Sequence, residues 1–130
     1  MKLVGKCSSF GGPNDIGMSN DTGLAFYEPW EANLRNDLFF PAGEDVPTWK
    51  RLRVDTYYCA INIPAGADRK WAKSSLWEIS ANGKHVIAWL VDRGPGAADR
   101  VVDCSPAVLN RLGVKTDDVV TVEEIIERTV

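Results

Sequence analysis

The residues best placed to do chemistry lie between Ala88 and Gly113, in AWLVDRGPGAADRVVDCSPAVLNRLG. An apolar run, Ala88 to Val91, stops at Asp92, and Arg93-Gly94-Pro95-Gly96 follows. A carboxyl group flanked by Trp89, Leu90 and Val91 can be desolvated, which favours the protonated form that a general acid needs. Arg93 acts the other way if its guanidinium folds back onto Asp92; it can equally point at a substrate or at Asp103. Position alone leaves a plainer reading open, because an aspartate at a strand end often only caps the loop.

Other reactive groups are scattered. Asp15 and Asp21 sit in GGPNDIGMSNDTG, a loop from Gly11 to Gly23 dense in turn-forming residues. Their simplest role is local side-chain-to-backbone turns. The functional alternative is that this loop faces the Asp92 loop across a groove and lends a carboxylate or a hydrogen bond to substrate. Glu28, Asp55 and Asp99 have no spacing that singles them out, and Asp103 reads as an anchor for its own strand or loop. His85 alternates with Ile87, Trp89 and Val91, which suits a packed or surface position on a strand. Five tryptophans are many for 130 residues. Trp77 and Trp89 fit a core, whereas Trp30, Trp49 and Trp71 fall in loop contexts where an aromatic face can serve as a stacking platform. Cys7, Cys59 and Cys104 lack metal-ligand spacing, and an odd number cannot pair fully within one chain. Buried free thiols or a single disulfide remain the two readings; no metal and no cofactor is expected.

The elements that must hold these residues are mostly strands. Lys2 to Phe10 reads as a first strand. Arg51 to Ile61 alternates, with Leu52, Val54, Thr56, Tyr58 and Ala60 on one side, so a half-buried strand is predicted there. Pro64 to Lys70 reads as a turn-rich loop. Ser75 to Ser80 and Lys84 to Val91 flank Ala81-Asn82-Gly83, and Asn-Gly between strands marks a hairpin. After the glycine-rich loop come a strand at Arg100 to Asp103, an N-cap serine at Ser105, Pro106 at the first helical position, and a short helix closed by Gly113. Thr121 to Ile126 closes the sheet, with a helical turn expected over Glu123 to Arg128. Residues near 28–50 are irregular and read as an insertion packed on a single domain spanning 1–130.

Composition limits the function. Charged residues are 25 % and hydrophobic ones 45 %, ordinary for a globular domain long enough to bury a core. A formal net charge of −3 argues against nucleic acid or an anionic membrane as partner. No apolar run approaches the roughly 20 residues that span a bilayer. The start, Met1 to Cys7, has no hydrophobic stretch of the secretory kind.

Val91-Asp92-Arg93-Gly94-Pro95, then Arg100, Asp103 and Ser105, a small helix ending Leu112-Gly113, and the closing strand Val119-Val120-Thr121-Val122 resemble the double-psi β-barrel of rare lipoprotein A. Expansins, barwin-like proteins, family 45 endoglucanases and membrane-bound lytic transglycosylase A share that barrel. Gly5-Lys6-Cys7-Ser8-Ser9-Phe10-Gly11-Gly12 is similar to the start of such domains. The resemblance implies a mainly β fold, a six-stranded double-psi β-barrel with one or two short helices. It also implies a peptidoglycan-cleaving enzyme of lytic transglycosylase type, with Asp92 as the acid/base and Asp15, Asp21, Arg93 and Trp71 as substrate-binding candidates. A single carboxyl suffices for that chemistry. It protonates the glycosidic oxygen and then takes the proton of the sugar's own C6 hydroxyl, whereas inverting hydrolysis needs a second carboxylate about 6.5–9.5 Å away. Rare lipoprotein A-like domains also carry a Glu and a His after the first loop, and that His has no counterpart, because His85 lies in the hairpin. The alternative is a non-catalytic glycan-binding module, or a virion or tail component, on the same barrel. Either is expected to be a monomer acting on peptidoglycan or a related polysaccharide at the cell wall or outside the cell. With no signal segment in the chain, the protein would be trimmed or released in the manner of a phage protein.

Overall fold

The structure is a computed structural model that describes residues 2–10, 38, 55–63, 69–95 and 99–125. Among these residues, six strands and two short helices follow one another: β1 (Lys2–Ser9), β2 (Tyr58–Ile61), α1 (Arg69–Lys73), β3 (Leu76–Ala81), β4 (Lys84–Asp92), β5 (Arg100–Cys104), α2 (Pro106–Leu112) and β6 (Val119–Ile125). The strands close into a barrel in the order β1-β5-β2-β4-β3-β6. β1 runs parallel to β5 and β2 parallel to β4, while every other neighbouring pair is antiparallel. Among the described strands, closure gives every strand a neighbour on both sides.

Local chemistry accounts for the connections. Asn82 and Gly83 join β3 to β4 with φ of 55° and 73°. Two left-handed residues in succession match the twist of the strands they join, so this Asn-Gly turn forms where the sequence predicts it. Ser105 caps α2 through its side chain, Pro106 occupies the first turn, and Gly113 ends the helix at φ 68°. Asn82 also donates from Nδ2 to the Leu112 carbonyl at 3.0 Å, which ties the hairpin turn to the end of α2.

Burial alternates along β3, β6 and the first part of β4, while β2 is buried throughout, and this defines the interior. Val86, Ala88 and Leu90 of β4 are buried, as are Trp77 and Ile79 of β3 and Val120 and Val122 of β6. Cys7, Cys59, Ile61, Val102 and Cys104 complete the core, and Leu38 packs into it from outside the strands. The same alternation leaves His85 and Ile87 exposed and Trp89 only half-buried. Trp89 is therefore not a core residue, in contrast to the sequence-based expectation, whereas Trp77 is.

Three further elements differ from expectation. The strand predicted from Arg51 begins at Tyr58, where pairing with β4 and β5 starts; Asp55 to Tyr57 are not strand, and 51–54 lie outside the described residues. Arg69 to Lys73, read as the end of a loop and the approach to β3, form α1, whose Ala72 is fully buried. Glu123 to Ile125 extend β6 instead of starting a helical turn, because Glu123 pairs with Lys2 on one side and Glu78 on the other. No described helix is long and apolar enough to cross a membrane.

Candidate functional site

The register of four neighbouring strands builds one row of side chains. Ser8 of β1 is the Cα partner of Asp103 on β5, Asp103 that of Ala60 on β2, and Ala60 that of Asp92 on β4. The row depends on irregularities in both parallel pairings, between Lys6 and Cys7 in β1 and between Cys59 and Ala60 in β2. Each shifts the following residues along the partner strand, as a β-bulge does.

Ser8 and Asp103 touch: the Ser8 hydroxyl donates to Oδ1 of the Asp103 carboxylate. Ser8 is 5 % exposed and Asp92 8 %, while Asp103 is half-buried and so the more open of the two carboxyls. Ala60 between them contributes only a methyl group. Strands in a sheet lie about 4.8 Å apart, which puts the Asp92 and Asp103 backbones roughly 10 Å from each other across β2.

The glycine-rich loop folds over this row. Gly94 adopts φ 148°, and a Cβ placed on it would come within 3.2 Å of Asp103 Oδ2 and 3.9 Å of the Ala60 Cβ. Gly94 thus covers the centre of the row so closely that a side chain there would crowd the Asp103 carboxylate. The Gly94–Pro95 peptide is cis, and the Pro95 carbonyl accepts from Asn62 Nδ2 at 2.6 Å, fixing the loop to the end of β2. Arg93 is exposed beside the row.

A groove with aromatic residues in its lining lies beside the start of β2. Tyr58, two residues before Ala60, is the Cα partner of Trp89 and is fully buried, with Phe10 edge-on to its ring at 5.3 Å between centroids. Beside it, a cavity of about 330 Å³ is lined by Leu38, Asp55, Thr56, Tyr57, Ile87 and Trp89. A second cavity of about 560 Å³ shares Asp55 and Tyr57 and reaches Pro106, Ala107, Asn110 and Arg111 of α2. Tyr57 and Ile87 are well exposed for residues of their size.

Of the residues singled out from sequence, Asp92 belongs to the row and Arg93 adjoins it. Trp71 lies on α1 with 37 % of its surface exposed and takes no place in the row. Asp15 and Asp21, with the loop meant to form the opposite wall of the groove, lie outside the described residues, as do Glu28, Trp30 and Trp49. Two residues acquire a part that sequence reasoning did not give them. The sequence marks Asp103 as an anchor for its own strand and gives Ser8 no role of its own. The signal for Ser8 was its place in Cys7-Ser8-Ser9, at the end of the first strand.

The three cysteines are free and buried. Burial pushes the thiols of Cys59 and Cys104 well above the ordinary cysteine value, and burial aided by the charge of Asp118 raises that of Cys7. Among the described residues, no group of three or more His, Cys, Asp and Glu could hold a metal ion.

No known family profile and no curated protein matches the sequence. Solved structures do match. The Streptomyces papain inhibitor is 13 % identical and superposes with a TM-score of 0.57 over 97 % of this chain and 96 % of its own. The expansin of Clavibacter michiganensis, in its apo form, is 13 % identical and superposes with a TM-score of 0.54 over 100 % of this chain. The fold is a double-psi β-barrel. This double-psi β-barrel spans 53 % of that expansin and nearly all of the papain inhibitor. In its terms, the row of Ser8, Asp103, Ala60 and Asp92 runs across β1, β5, β2 and β4, where the two parallel strand pairs meet.

Proposed function

We propose that this barrel binds and cleaves a cell-wall polysaccharide, peptidoglycan first among them, by general acid–base catalysis at the Asp92–Asp103 row. The observation that carries the reading is the register placing two carboxyls and a serine hydroxyl side by side under the Gly94 loop. Asp103 is the more open carboxyl, held in one orientation by Ser8, and takes the position of the proton-transferring group. Asp92, more deeply buried, is the second carboxyl.

Two chemistries use such a pair differently. In lytic transglycosylation one carboxyl protonates the glycosidic oxygen and then accepts the C6 hydroxyl proton, so Asp92 would only shape the site. In inverting hydrolysis the second carboxylate activates water from about 6.5–9.5 Å away, a separation that two strand spacings accommodate. The groove at Tyr57, Ile87 and Trp89 supports a polysaccharide as ligand. The exposed Tyr57 and the half-buried Trp89, with Asp55, Asn110 and Arg111 nearby, suit a sugar ring, which presents C–H groups on its faces and hydroxyls around its rim. A glycan ligand also agrees with the fold shared with an expansin.

Analysis of muropeptides after incubation with purified peptidoglycan tests the reading. Anhydro ends mean transglycosylation, and new reducing ends mean hydrolysis. Absence of new ends with retained binding means the second reading, a non-catalytic binding module. The full-length likeness to a papain inhibitor favours that alternative, and papain inhibition is the matching control.

A further inference from the structure

Cys59 and Cys104 are Cα partners on the antiparallel strands β2 and β5. The Ser105 amide donates to the Tyr58 carbonyl at 3.0 Å and the Cys104 carbonyl accepts from the Phe10 amide at 3.1 Å, so the β2–β5 ladder bonds at Tyr58–Ser105 while Cys104 turns its carbonyl toward β1. Hydrogen-bonded and non-hydrogen-bonded pairs alternate along an antiparallel ladder, which makes Cys59 and Cys104 a non-hydrogen-bonded pair with Cα atoms about 4.5 Å apart. That separation falls within the roughly 4.4–6.8 Å a disulfide spans. Both residues have no exposed surface and share the barrel interior with Ile61 and Val102, the next pair of the same kind. Cys7 is placed differently. Its partner on β5 is Val102, and its thiol donates to the Lys115 carbonyl at 3.4 Å.

We infer that Cys59 and Cys104 are a covalent cross-linking site, joined as a disulfide when the chain folds in the presence of a small-molecule disulfide. The step is thiol–disulfide exchange. One cysteine thiolate attacks the small disulfide, releasing one small thiol and leaving a mixed disulfide. The second cysteine attacks that, releasing the other small thiol and forming the S–S bond. Two cysteine thiols lose a proton and an electron each, and one small disulfide is reduced to two thiols. The bond would tie β2 to β5 directly beside Ala60 and Asp103, so it braces the carboxyl row from the interior. This holds whether or not the barrel acts on glycans.

Burial also fixes when the exchange occurs. Reactive cysteines are accessible and ionised, and these are neither once the barrel has closed. The cross-link therefore forms on the folding chain and is refused by the folded, reduced barrel.

The test refolds the denatured, reduced protein in a mixture of reduced and oxidised glutathione and, in parallel, adds the same mixture to protein already folded under reducing conditions. Intact mass, alkylation and a non-reducing peptide map follow. The refolded sample should lose two hydrogens in mass, yield a linked Cys59–Cys104 peptide with Cys7 alkylated, and melt at a higher temperature than the reduced form. The prefolded sample should keep three thiols for many hours. Cys7→Ser should refold with the same cross-link, and neither Cys59→Ser nor Cys104→Ser should show it. Three alkylated thiols after refolding, or a linked peptide that contains Cys7, would overturn the inference. Rapid oxidation of the prefolded barrel would overturn its timing.

Discussion

Replacing Ser105 with alanine removes a hydroxyl that serves three partners at once. Ser105 Oγ donates to the Thr56 carbonyl at 2.7 Å and accepts from the Tyr58 amide at 3.3 Å and the Val108 amide at 3.4 Å. The residue has no exposed surface, so water cannot replace the lost bonds without a cavity opening. The Val108 amide keeps a second acceptor, the Ser105 carbonyl at 3.1 Å, and the helix cap alone accounts for about 1 kcal/mol. Weakening the bonds at Tyr58 and Thr56 adds roughly 1–3 kcal/mol, the range for a buried polar group losing its partner. The sum is about 2–4 kcal/mol. At about 4 °C per kcal/mol for a chain of this size, Tm should fall by roughly 8–16 °C. Chemical denaturation and thermal melts measure it directly. Ser105→Asp is the control: a carboxylate can cap the helix, but it cannot donate to Thr56 and should leave most of the loss in place. If Ser105→Ala costs under about 1 kcal/mol, or Ser105→Asp restores full stability, the hydroxyl is only a cap and the proposed link between α2 and the start of β2 is wrong.

Gly83→Val should destabilise by at least ~1 kcal/mol in the same melts through backbone strain alone, since nothing lies within 4 Å of a Cβ there; unchanged stability would refute the turn. Gly94→Ala adds crowding to strain, because the new methyl group presses on Asp103 Oδ2, so it should lower turnover at saturating substrate more than Gly83→Ala does at equal loss of Tm. The buried thiols make stability pH-dependent with a definite sign. Their folded values are raised above the ordinary 9.0, so the unfolded chain loses thiol protons first, and stability of the reduced protein, flat below pH 9 in this respect, should fall as pH rises beyond it. Denaturant titrations of reduced wild type and Cys59→Ala at pH 8 and 10 read this as a smaller alkaline loss in the variant.

Much of the barrel was legible because the signals were local. Asn82-Gly83 and Ser105-Pro106 with Gly113 each specify a backbone conformation by themselves, and the apolar alternation of β3 and β4 follows from a period of two. Short or long-range features were not. α1 spans only five residues, too few for a helical period to emerge, and it is held by burial of Ala72 that no local pattern announces. Alternation starts at Arg51, well before Tyr58, where pairing partners are first met, so it overstates the length of the strand. Trp89 was correctly grouped with His85 and Ile87, but which side of a strand faces the interior depends on how the sheet closes.

The carboxyl row shows the same divide. Asp92 could be picked out because it terminates an apolar run before Gly-Pro. Ser8 and Asp103 meet across 95 residues through a parallel pairing whose register shifts at Lys6 and Cys7. No sequence rule supplies that shift, so the partnership of Ser8 with Asp103 becomes readable only once the strands are paired.

The most direct test of the glycan-cleaving reading compares wild type, Asp103→Asn and Asp92→Asn on purified peptidoglycan, with binding measured by co-sedimentation and cleavage by new chain ends. Each substitution keeps the side chain's shape while removing a carboxyl. All three proteins should bind, wild type should produce new ends, and Asp103→Asn should lose activity by roughly 10²–10⁴-fold, the contribution of general acid–base catalysis. Asp92→Asn should lose as much if the new ends are reducing and much less if they are anhydro. Equal cleavage by wild type and Asp103→Asn, or binding by all three with no new ends from any, would contradict the claim and leave the barrel as a binding module.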